Sequence, residues 1–546
     1  MSRSCTLGLL GLALLSVCCV RAIDYTSDEG TPHTPFSDAA SAVKDRPIGA
    51  GFTWSLGGSL MERVQRHDNR RDLDDEQKDD SFEVLHRLRL NTEFNYGHLF
   101  KAYIETQDSR LLYESRPFGP QNRIRNQNPF DLYQAYVEFG LLDDVADKPS
   151  LSIKLGRQEM TLGHQRTFGN LDWFNSGQSF DMGRTTWRPD GFDIDFFAGR
   201  PVLQKRDGMD ETSSHVNFGG FHLKALGIPG GHTIQAYGVA KWDTLNQWPS
   251  EKDSFAGGSG YVPPSVAGPG NIIGLTSVGV GTPGSVDLPF TPFWAGLPGW
   301  VGPGSYILIF DGSGAVIGTA PAGNPTLHGE RRITIGGIAD GKFWNKRFDY
   351  SLESSLQFGD FGGDSVFAYR FNGELGYKIP MGWRYVRLAA GYSMASGDSD
   401  PTDGRHNSFD PFFPDTFGMH GKYQFVNDRN IQDWTGKVQA RAWKGGMIEV
   451  EYHGLKLDQK RDGLYAPPAG YYSYTAAGPF GLRSGAGNWG KDVGQELDVQ
   501  VTHVFNNNFS VSGGAFFFKP GSYFRKTGYY GDDLAKNFFL MARLSF

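Results

Sequence analysis

The chain has 546 residues, with 53 basic and 60 acidic side chains and a formal charge of -7. Aromatic residues make up 14% and glycine contributes 73 residues, yet mean hydropathy is only -0.41. The lack of a basic excess argues against a nucleic-acid-binding protein. Many aromatics in a polar chain indicate a wall with an apolar outer face and a polar inner face.

The N-terminus predicts an exported protein. Arg3 supplies a positive start, Thr6 to Val20 forms an apolar segment, and Val20-Arg21-Ala22 offers small residues for cleavage. We predict a signal peptide at 1–22 and a periplasmic segment at 23–48. No later apolar run reaches the roughly 18 residues of a membrane-spanning helix. The three cysteines, Cys5, Cys18 and Cys19, lie in the predicted signal peptide, so the mature chain has no disulfide.

Alternation of apolar and polar residues predicts antiparallel strands along the rest of the chain. The final strand places Phe538, Leu540 and the terminal Phe546 on one face, a pattern typical of outer-membrane barrels. Eighteen segments carry the alternation: 51–66, 82–96, 99–111, 130–142, 150–162, 178–189, 191–203, 214–227, 231–243, 330–343, 347–359, 365–379, 383–397, 432–444, 446–459, 492–505, 509–520 and 534–546. The predicted fold is all-β, a transmembrane antiparallel β-barrel over 49–546.

The connections between these segments alternate in length. Short ones lie at 97–98, 143–149, 189–190, 228–230, 345–346, 380–382, 445 and 506–508, and long ones at 67–81, 112–129, 163–177, 244–329, 398–431, 460–491 and 521–533. The one short connection among the long ones is 360–364. Outer-membrane barrels have short periplasmic turns and long extracellular loops. One miscounted strand would break the alternation, whereas two would preserve it. We therefore predict 18 strands, with 16 as the other possibility.

The longest connection, 244–329, is an extracellular insertion rich in glycine and proline. Between Ser254 and Leu327 it has 17 glycines and 10 prolines. Tyr306 to Phe310 and Ala315 to Ile317 flank Asp311-Gly312-Ser313-Gly314, which predicts a hairpin. An ordered lid over the barrel mouth and a flexible surface loop remain the two interpretations.

Several stretches resemble the alginate export family of outer-membrane porins. They are NPFDLYQAYV at 128–137, LGRQEMTLGHQR at 155–166, NLDW at 170–173, SFD at 179–181, ASGD at 395–398, FDPFFP at 409–414 and GQELD at 494–498. The resemblance extends from about residue 50 to 546. It implies a monomeric 18-stranded barrel through which an anionic polysaccharide leaves along an arginine-rich lumen.

Strand parity selects the candidate pore residues. Eleven basic and 13 acidic side chains are predicted to face inward, so opposite charges could simply pair across neighbouring strands. Arg157 is predicted to face outward by parity, so either a bulge at Gly156 redirects it or it lies at the rim, where Asp181 and Arg184 could pair with it. The candidate substrate-binding residues are Arg87, Arg89, Arg157, Asp181, Arg184, Arg370, Arg387, Arg441 and Arg543.

We predict a passive channel in the bacterial outer membrane that exports an anionic, alginate-like polysaccharide. An uptake porin for small solutes or oligosaccharides is the alternative. No serine motif accompanies His86 or His503, so no enzyme is predicted. The acidic stretch 398–404 lacks the ligand spacing of a calcium loop and is expected to be a solvated turn, without metal or cofactor. Expected partners are outer-membrane lipids, the barrel-assembly machinery and the transported solute, with no nucleic acid and no second subunit.

Overall fold

The computed structural model contains one closed antiparallel barrel of 18 strands. It describes residues 43–69, 80–115, 126–142, 148–205, 208–249, 327–465, 489–527 and 531–546, with short pieces at 73, 75, 144–145, 272–274, 306–310 and 316–321. The strands are β1 Phe52–Asp68, β2 Ser81–Tyr96, β3 Phe100–Glu114, β4 Asn128–Gly140, β5 Leu151–Gln158, β6 Phe180–Trp187, β7 Phe192–Leu203, β8 Val216–Ala225, β9 Thr233–Pro249, β10 Leu327–Phe343, β11 Phe348–Phe361, β12 Asp364–Met381, β13 Arg384–Ala395, β14 Ile431–Trp443, β15 Gly446–Leu457, β16 Asp492–Val504, β17 Phe509–Pro520 and β18 Ala535–Ser545.

Every strand pairs with its sequence neighbour, and the last strand pairs with the first. The β18–β1 register runs from Ser545 opposite Ser59 to Lys536 opposite Asp68. Phe546 extends the closure, because its amide donates to Gly58 O at 3.1 Å and its carbonyl accepts from Gly58 N at 3.0 Å. Closure leaves the sheet without a free edge. The count of 18 is confirmed and the alternative of 16 is wrong.

The two faces of the wall differ as the alternation predicts. Outward apolar side chains such as Phe196, Leu375 and Leu540 are 52%, 51% and 55% exposed. Inward neighbours are mostly buried and polar, because the interior is filled. Trp344 and Trp383, at the short-turn ends of the wall, are exposed, as is typical of residues at a membrane interface. Among the described residues, no helix is long and apolar enough to cross a membrane.

The connections confirm the predicted alternation of short turns and long loops, with the predicted exception of the turn 362–363 between β11 and β12. β14 and β15 are joined by two residues, 444–445, and β12 and β13 by 382–383, whereas 396–430 joins β13 to β14. The predicted hairpin in the Gly/Pro-rich insertion is present, since Tyr306–Phe310 pairs antiparallel with Val316–Pro321. Most of 244–329 lies outside the described residues, so the lid and surface-loop interpretations both stay open. The predicted signal peptide and most of the segment 23–48 also lie outside them.

One predicted strand ends too late. The alternation extends the fifth strand to residue 162, but β5 ends at Gln158. From Glu159 the chain leaves the sheet and is buried, with Met160 4% and Leu162 1% exposed. The alternating residues beyond Gln158 therefore pack inside the barrel and do not continue its wall.

An arginine at Leu375 should destabilise the barrel in lipid. Leu375 faces outward on β12, six residues before Met381 at the short-turn end. A cationic side chain near the bilayer midplane costs about 2 to 4 kcal/mol, falling to about 0 to 1 kcal/mol near the interface. We expect Leu375→Arg to lower the free energy of unfolding in lipid vesicles by the larger amount and Met381→Arg by the smaller. Equal losses at both positions would contradict a lipid-facing surface.

Candidate functional site

Two long loops fold into the barrel and meet across its interior. The first inserted loop is 159–179, between β5 and β6, and the second is 396–430, between β13 and β14. They pair in parallel at Phe168 and Phe413, where Gly169 N donates to Phe413 O at 2.9 Å. A Cβ on Gly169 would lie 2.5 Å from Asp415 N, so this contact requires glycine. The pairing brings together two loops that are distant in sequence, and we call the region where they meet the constriction.

An apolar cluster holds one side of the constriction. Phe168 is fully buried, and its ring centroid lies 5.4 Å from that of Phe180 and 5.1 Å from that of Phe218 on the wall. Phe413 of the second inserted loop lies 5.2 Å from Phe168 by the same measure. Aromatic pairs at these separations add to the energy of apolar burial. The loops are thus packed against the wall on β6 to β8.

Four arginines converge on the other side of the first inserted loop. Arg87 of β2 and Arg543 of β18 bind the two carboxylate oxygens of Asp172 at 2.7 and 2.6 Å. Arg63 of β1 donates to Trp173 O at 2.6 Å and covers the Trp173 ring. Arg89 of β2 lies 3.4 Å from Glu159. These guanidinium groups, Arg63, Arg87, Arg89 and Arg543, form the arginine cluster.

Asp172 is the shared acceptor of the arginine cluster. Burial opposes ionisation of its carboxyl, but attraction to Arg543, Arg87 and Arg89 outweighs burial and holds the pKa below its usual range. Its contacts with β2 and β18 span the closing seam of the barrel. One loop carboxylate therefore fixes the position of the loop and the orientation of two wall arginines.

A second charged group lies where the two loops meet β9 to β12. Arg370 of β12 binds Glu353 at 2.6 Å and Asp428 of the second inserted loop at 3.2 Å. Arg166 of the first inserted loop binds the same Asp428 oxygen at 3.2 Å. Beside them, Asp410 accepts from Lys241 at 3.3 Å and from Arg332 at 2.9 Å. Here positive and negative groups are nearly equal in number, so the charges bind the loops without a large excess.

His164 joins the first inserted loop to β10 and β11. Its Nε2 lies 2.9 Å from Asp340 and 3.2 Å from Ser351 Oγ, and its Nδ1 lies 3.0 Å from Glu353. Burial would lower the pKa of His164, but the two carboxylates outweigh it and raise the pKa. A serine, a histidine and an acid are therefore close together, but both ring nitrogens face carboxylates. The protonated imidazole that this favours has no lone pair with which to accept the proton of Ser351.

The family to which this sequence belongs is now clear. The sequence profile of the family described as Alginate export matches residues 52–533, nearly the whole barrel. The chain belongs to the Alginate export family. It is an outer-membrane channel protein, and the resemblance seen in the sequence is confirmed. No curated protein matches the sequence significantly.

Solved structures with a similar barrel include three outer-membrane proteins of Pseudomonas aeruginosa. OprD is 10% identical with a TM-score of 0.49, covering 92% of this chain and 97% of that one. OccD3 (OpdP) is 12% identical with a TM-score of 0.48, covering 92% and 94%. OpdK, solved with vanillate, is 10% identical with a TM-score of 0.47, covering 90% and 99%.

The structure brings together only some of the predicted site residues of this Alginate export family member. Arg87, Arg89 and Arg543 lie in the arginine cluster, and Arg370 lies at the second group. Arg387 pairs along the wall with Glu374 at 2.7 Å. These five residues face inward, as parity predicts.

The remaining predicted residues lie apart from the constriction. Arg157 lies on the same outward face of β5 as Leu155. It pairs with Asp181 at 2.9 Å and donates to Asp210 O. The register runs unbroken through Gly156, so the rim interpretation holds and the bulge interpretation is wrong. Arg184 pairs with Asp195 at 2.6 Å, not with Arg157.

Arg441, near the short-turn end of β14, has no ion pair with any residue that the structure describes. The predicted solvated turn at 398–404 is only partly correct. Asp400 and Asp403 are at the surface, but Asp398 is fully buried and donates its amide to Asp462 at 2.9 Å.

Several charged residues of the constriction were not among the predicted site residues. Arg63, Lys241 and Arg332 lie on strands, and parity on β1 could have identified Arg63 beside the inward Met61 and Gln65. Arg166 and Asp428 lie on loops, which strand parity cannot orient. The available signal was the position of the family-like stretches, because 155–166, 170–173 and 409–414 supply much of both inserted loops.

Removal of the shared acceptor should shift the ion selectivity of the channel toward anions. Asp172→Asn leaves two arginines without their buried partner, and breaking a buried pair costs about 3 to 5 kcal/mol. We expect the first inserted loop to loosen. In a salt gradient, the reversal potential should move toward the value of an anion-selective channel. Asp193→Asn is the matched control, because Asp193 is half-exposed and lies 3.5 Å from Arg188 near the short-turn end. An equal shift in both variants would show that the position of Asp172 does not matter.

The attachment of His164 should weaken as the pH rises. The pKa of His164 is raised in the folded protein, so the stabilisation from its two ion pairs is complete below the pKa of the unfolded chain, about 6.5. It is lost as pH increases through the raised value. We expect single-channel current to become larger or noisier at alkaline pH, and His164→Gln to lack that transition. A transition of the same size in the variant would assign it to another group.

Proposed function

We propose that this channel passively exports an acidic polysaccharide of the alginate class. The observation that supports the proposal is the arginine cluster, which gathers four guanidinium groups around Asp172 and Glu159 of the first inserted loop, with Glu83 and Glu105 of the wall nearby. A low-dielectric wall concentrates the field of guanidinium groups gathered in this way. Uronic acid residues carry the carboxylates that guanidinium groups bind well. Membership in the Alginate export family supports the same substrate class.

The cluster retains capacity for a ligand. Arg63 Nε, Arg87 Nε and Arg89 Nη2 are buried nitrogens without a hydrogen-bond partner among the described residues. Trp173 lies beside them, stacked on Phe417 of the second inserted loop with ring centroids 3.9 Å apart. A chain of sugars could exchange contacts along this surface as the loops yield. The proposal requires the loops to move, since they pack tightly across the interior.

The proposed role is transport without catalysis. His164 Nε2 lies 3.2 Å from Ser351 Oγ, but Asp340 occupies the same ring nitrogen, which would have to activate the serine. A carboxylate at that nitrogen favours the protonated imidazole. We therefore assign His164 to the attachment of the first inserted loop.

A small-solute porin is the second candidate. The second charged group favours it, because Arg370, Arg166, Lys241 and Arg332 are each paired with carboxylates that also face the interior. A constriction of nearly balanced charge offers less advantage to a long polyanion than an unpaired arginine row would. The two candidates differ in whether the arginine cluster binds uronate chains.

Block of the channel current by oligouronates would separate the candidates. Arg63 forms no ion pair with a described carboxylate, so Arg63→Gln should keep a donor for Trp173 O while removing one guanidinium. A hydrogen bond to a charged group contributes about 1.5 to 3 kcal/mol, so the concentration for half-block should rise about tenfold or more.

The controls for this experiment are one variant and one ligand. Arg441→Gln removes an arginine near the short-turn end and should leave the block unchanged. Neutral oligosaccharides of equal length should block wild-type channels weakly. Equal block by neutral and acidic oligomers, or unchanged block in Arg63→Gln, would favour the small-solute porin.

A further inference from the structure

Four buried carboxylates gather on the inner face of β14, β15 and β16. Asp433, Glu451, Glu496 and Asp498 are each at most 3% exposed. Glu451 lies opposite Asp498 in the β15–β16 register, and His453 lies opposite Glu496. On β15 and β16, Glu451, His453, Glu496 and Asp498 are therefore direct neighbours beneath the second inserted loop.

The ammonium groups near these carboxylates are too few to balance their negative charge. Lys422 and Lys437 both bind Glu451, and Lys422 also binds Glu449. Buried carboxylates without compensating charge are strongly destabilising. Lys422 has a second partner in Glu449, so it can remain paired if a cation binds the facing oxygen of Glu451.

Four atoms of this cluster have no hydrogen-bond partner among the described residues. They are Asp433 Oδ1, His453 Nε2, Glu496 Oε2 and Asp498 Oδ1, all buried. Buried polar atoms in folded proteins nearly always have a partner, so each unpaired one requires an explanation. A proton shared between Glu496 and Asp498 would satisfy two of the acceptors, whereas a bound cation would satisfy the acceptors together.

The orientation of His453 indicates what kind of cation would bind. Its Nδ1 lies 2.9 Å from Asp433 Oδ2, an interaction in which Nδ1–H donates to the carboxylate. In the neutral imidazole that a metal ion requires, the Nε2 lone pair faces Glu451 Oε2 and Asp498 Oδ2, each 4.0 Å away, and the ion takes the place of a proton there. A carboxylate that orients a ligating histidine in this way is a frequent feature of metal sites.

The distances between the side-chain atoms of this cluster fit ligands around one metal ion better than direct hydrogen bonds. Ligand atoms of Glu451, His453 and Asp498 lie within 4.8 Å of one another. Separations of 4.0 Å exceed hydrogen-bond length. Ligands bound tetrahedrally to one ion at about 2.0 to 2.2 Å lie roughly 3.3 to 3.6 Å apart, so shifts on the order of 1 Å would complete the site. The imidazole nitrogen favours a transition metal over Ca²⁺, which prefers oxygen ligands only.

We propose that Glu451, His453 and Asp498 bind a divalent transition-metal ion such as Zn²⁺, with Glu496 beside them. The ion holds the second inserted loop in place. Asp498 accepts from Lys422 N at 2.9 Å and Glu496 accepts from Tyr423 N at 2.7 Å, so fixing these carboxylates fixes the loop backbone. Asp433 and His420 extend the contact to Asp428, which binds Arg370.

Titration of the folded full-length barrel with Zn²⁺ tests the site. We expect wild-type protein to bind one Zn²⁺ in isothermal titration, and His453→Gln and Asp498→Asn to weaken binding about tenfold or more. His222→Gln is the matched control, because His222 also faces the lumen beside a carboxylate, 3.7 Å from Asp195. This control should bind as wild type does. Folding of every variant is checked by its gel mobility before and after heating.

Co²⁺ in place of Zn²⁺ gives a direct spectroscopic readout on the wild-type protein. We expect visible absorption bands that disappear on addition of Zn²⁺ and persist in ~10 mM Ca²⁺, a concentration about tenfold above the Kd of the weakest calcium sites. Absence of Zn²⁺ binding would overturn the proposal and indicate that bound protons neutralise the excess carboxylate charge. Equal weakening by His222→Gln, or displacement by Ca²⁺, would overturn it as well. The result does not depend on which solute the channel carries.

Discussion

The interior depends on charge pairing between the barrel wall and the two loops inside it. Strand alternation turns Arg87, Arg370 and Arg543 inward, and buried guanidinium groups are costly without partners. Asp172 of the first inserted loop and Asp428 of the second supply the carboxylates. Each carboxylate binds arginines from different parts of the chain, so it also determines where its loop lies. Wall and loops therefore determine one another.

The two loops differ in how many carboxylates they bring to the charged groups of the wall. The first inserted loop brings fewer carboxylates than the arginine cluster has guanidinium groups, and Glu83 and Glu105 of the wall lie nearby. The second inserted loop brings Asp410 and Asp428 to Lys241 and Arg370 and leaves the charges nearly balanced. Net charge of the whole lumen is therefore a poor guide to selectivity. The field at the narrowest point is what a passing solute meets.

The same arrangement explains why a metal ion is a reasonable part of the wall. On β15 and β16 the carboxylates outnumber the ammonium groups, the reverse of the arginine cluster on β1, β2 and β18. Glu496 and Asp498 still accept backbone amides of the second inserted loop. A cation there would compensate charge that the loop itself cannot compensate. Both sides of the barrel would then hold a loop by ionic contacts.

The sequence by itself determined the barrel. Alternation, the lengths of the connections and a terminal aromatic depend on local geometry, because a strand exposes successive side chains to opposite faces. They predicted 18 strands and the inward direction of Arg89 and Arg387. Tertiary structure alone decided that β5 ends at Gln158, that Arg166 enters the lumen and that Arg157 stays at the rim. The physical reason is that a loop has no fixed side-chain period, and its path is set by partners on strands distant in the chain.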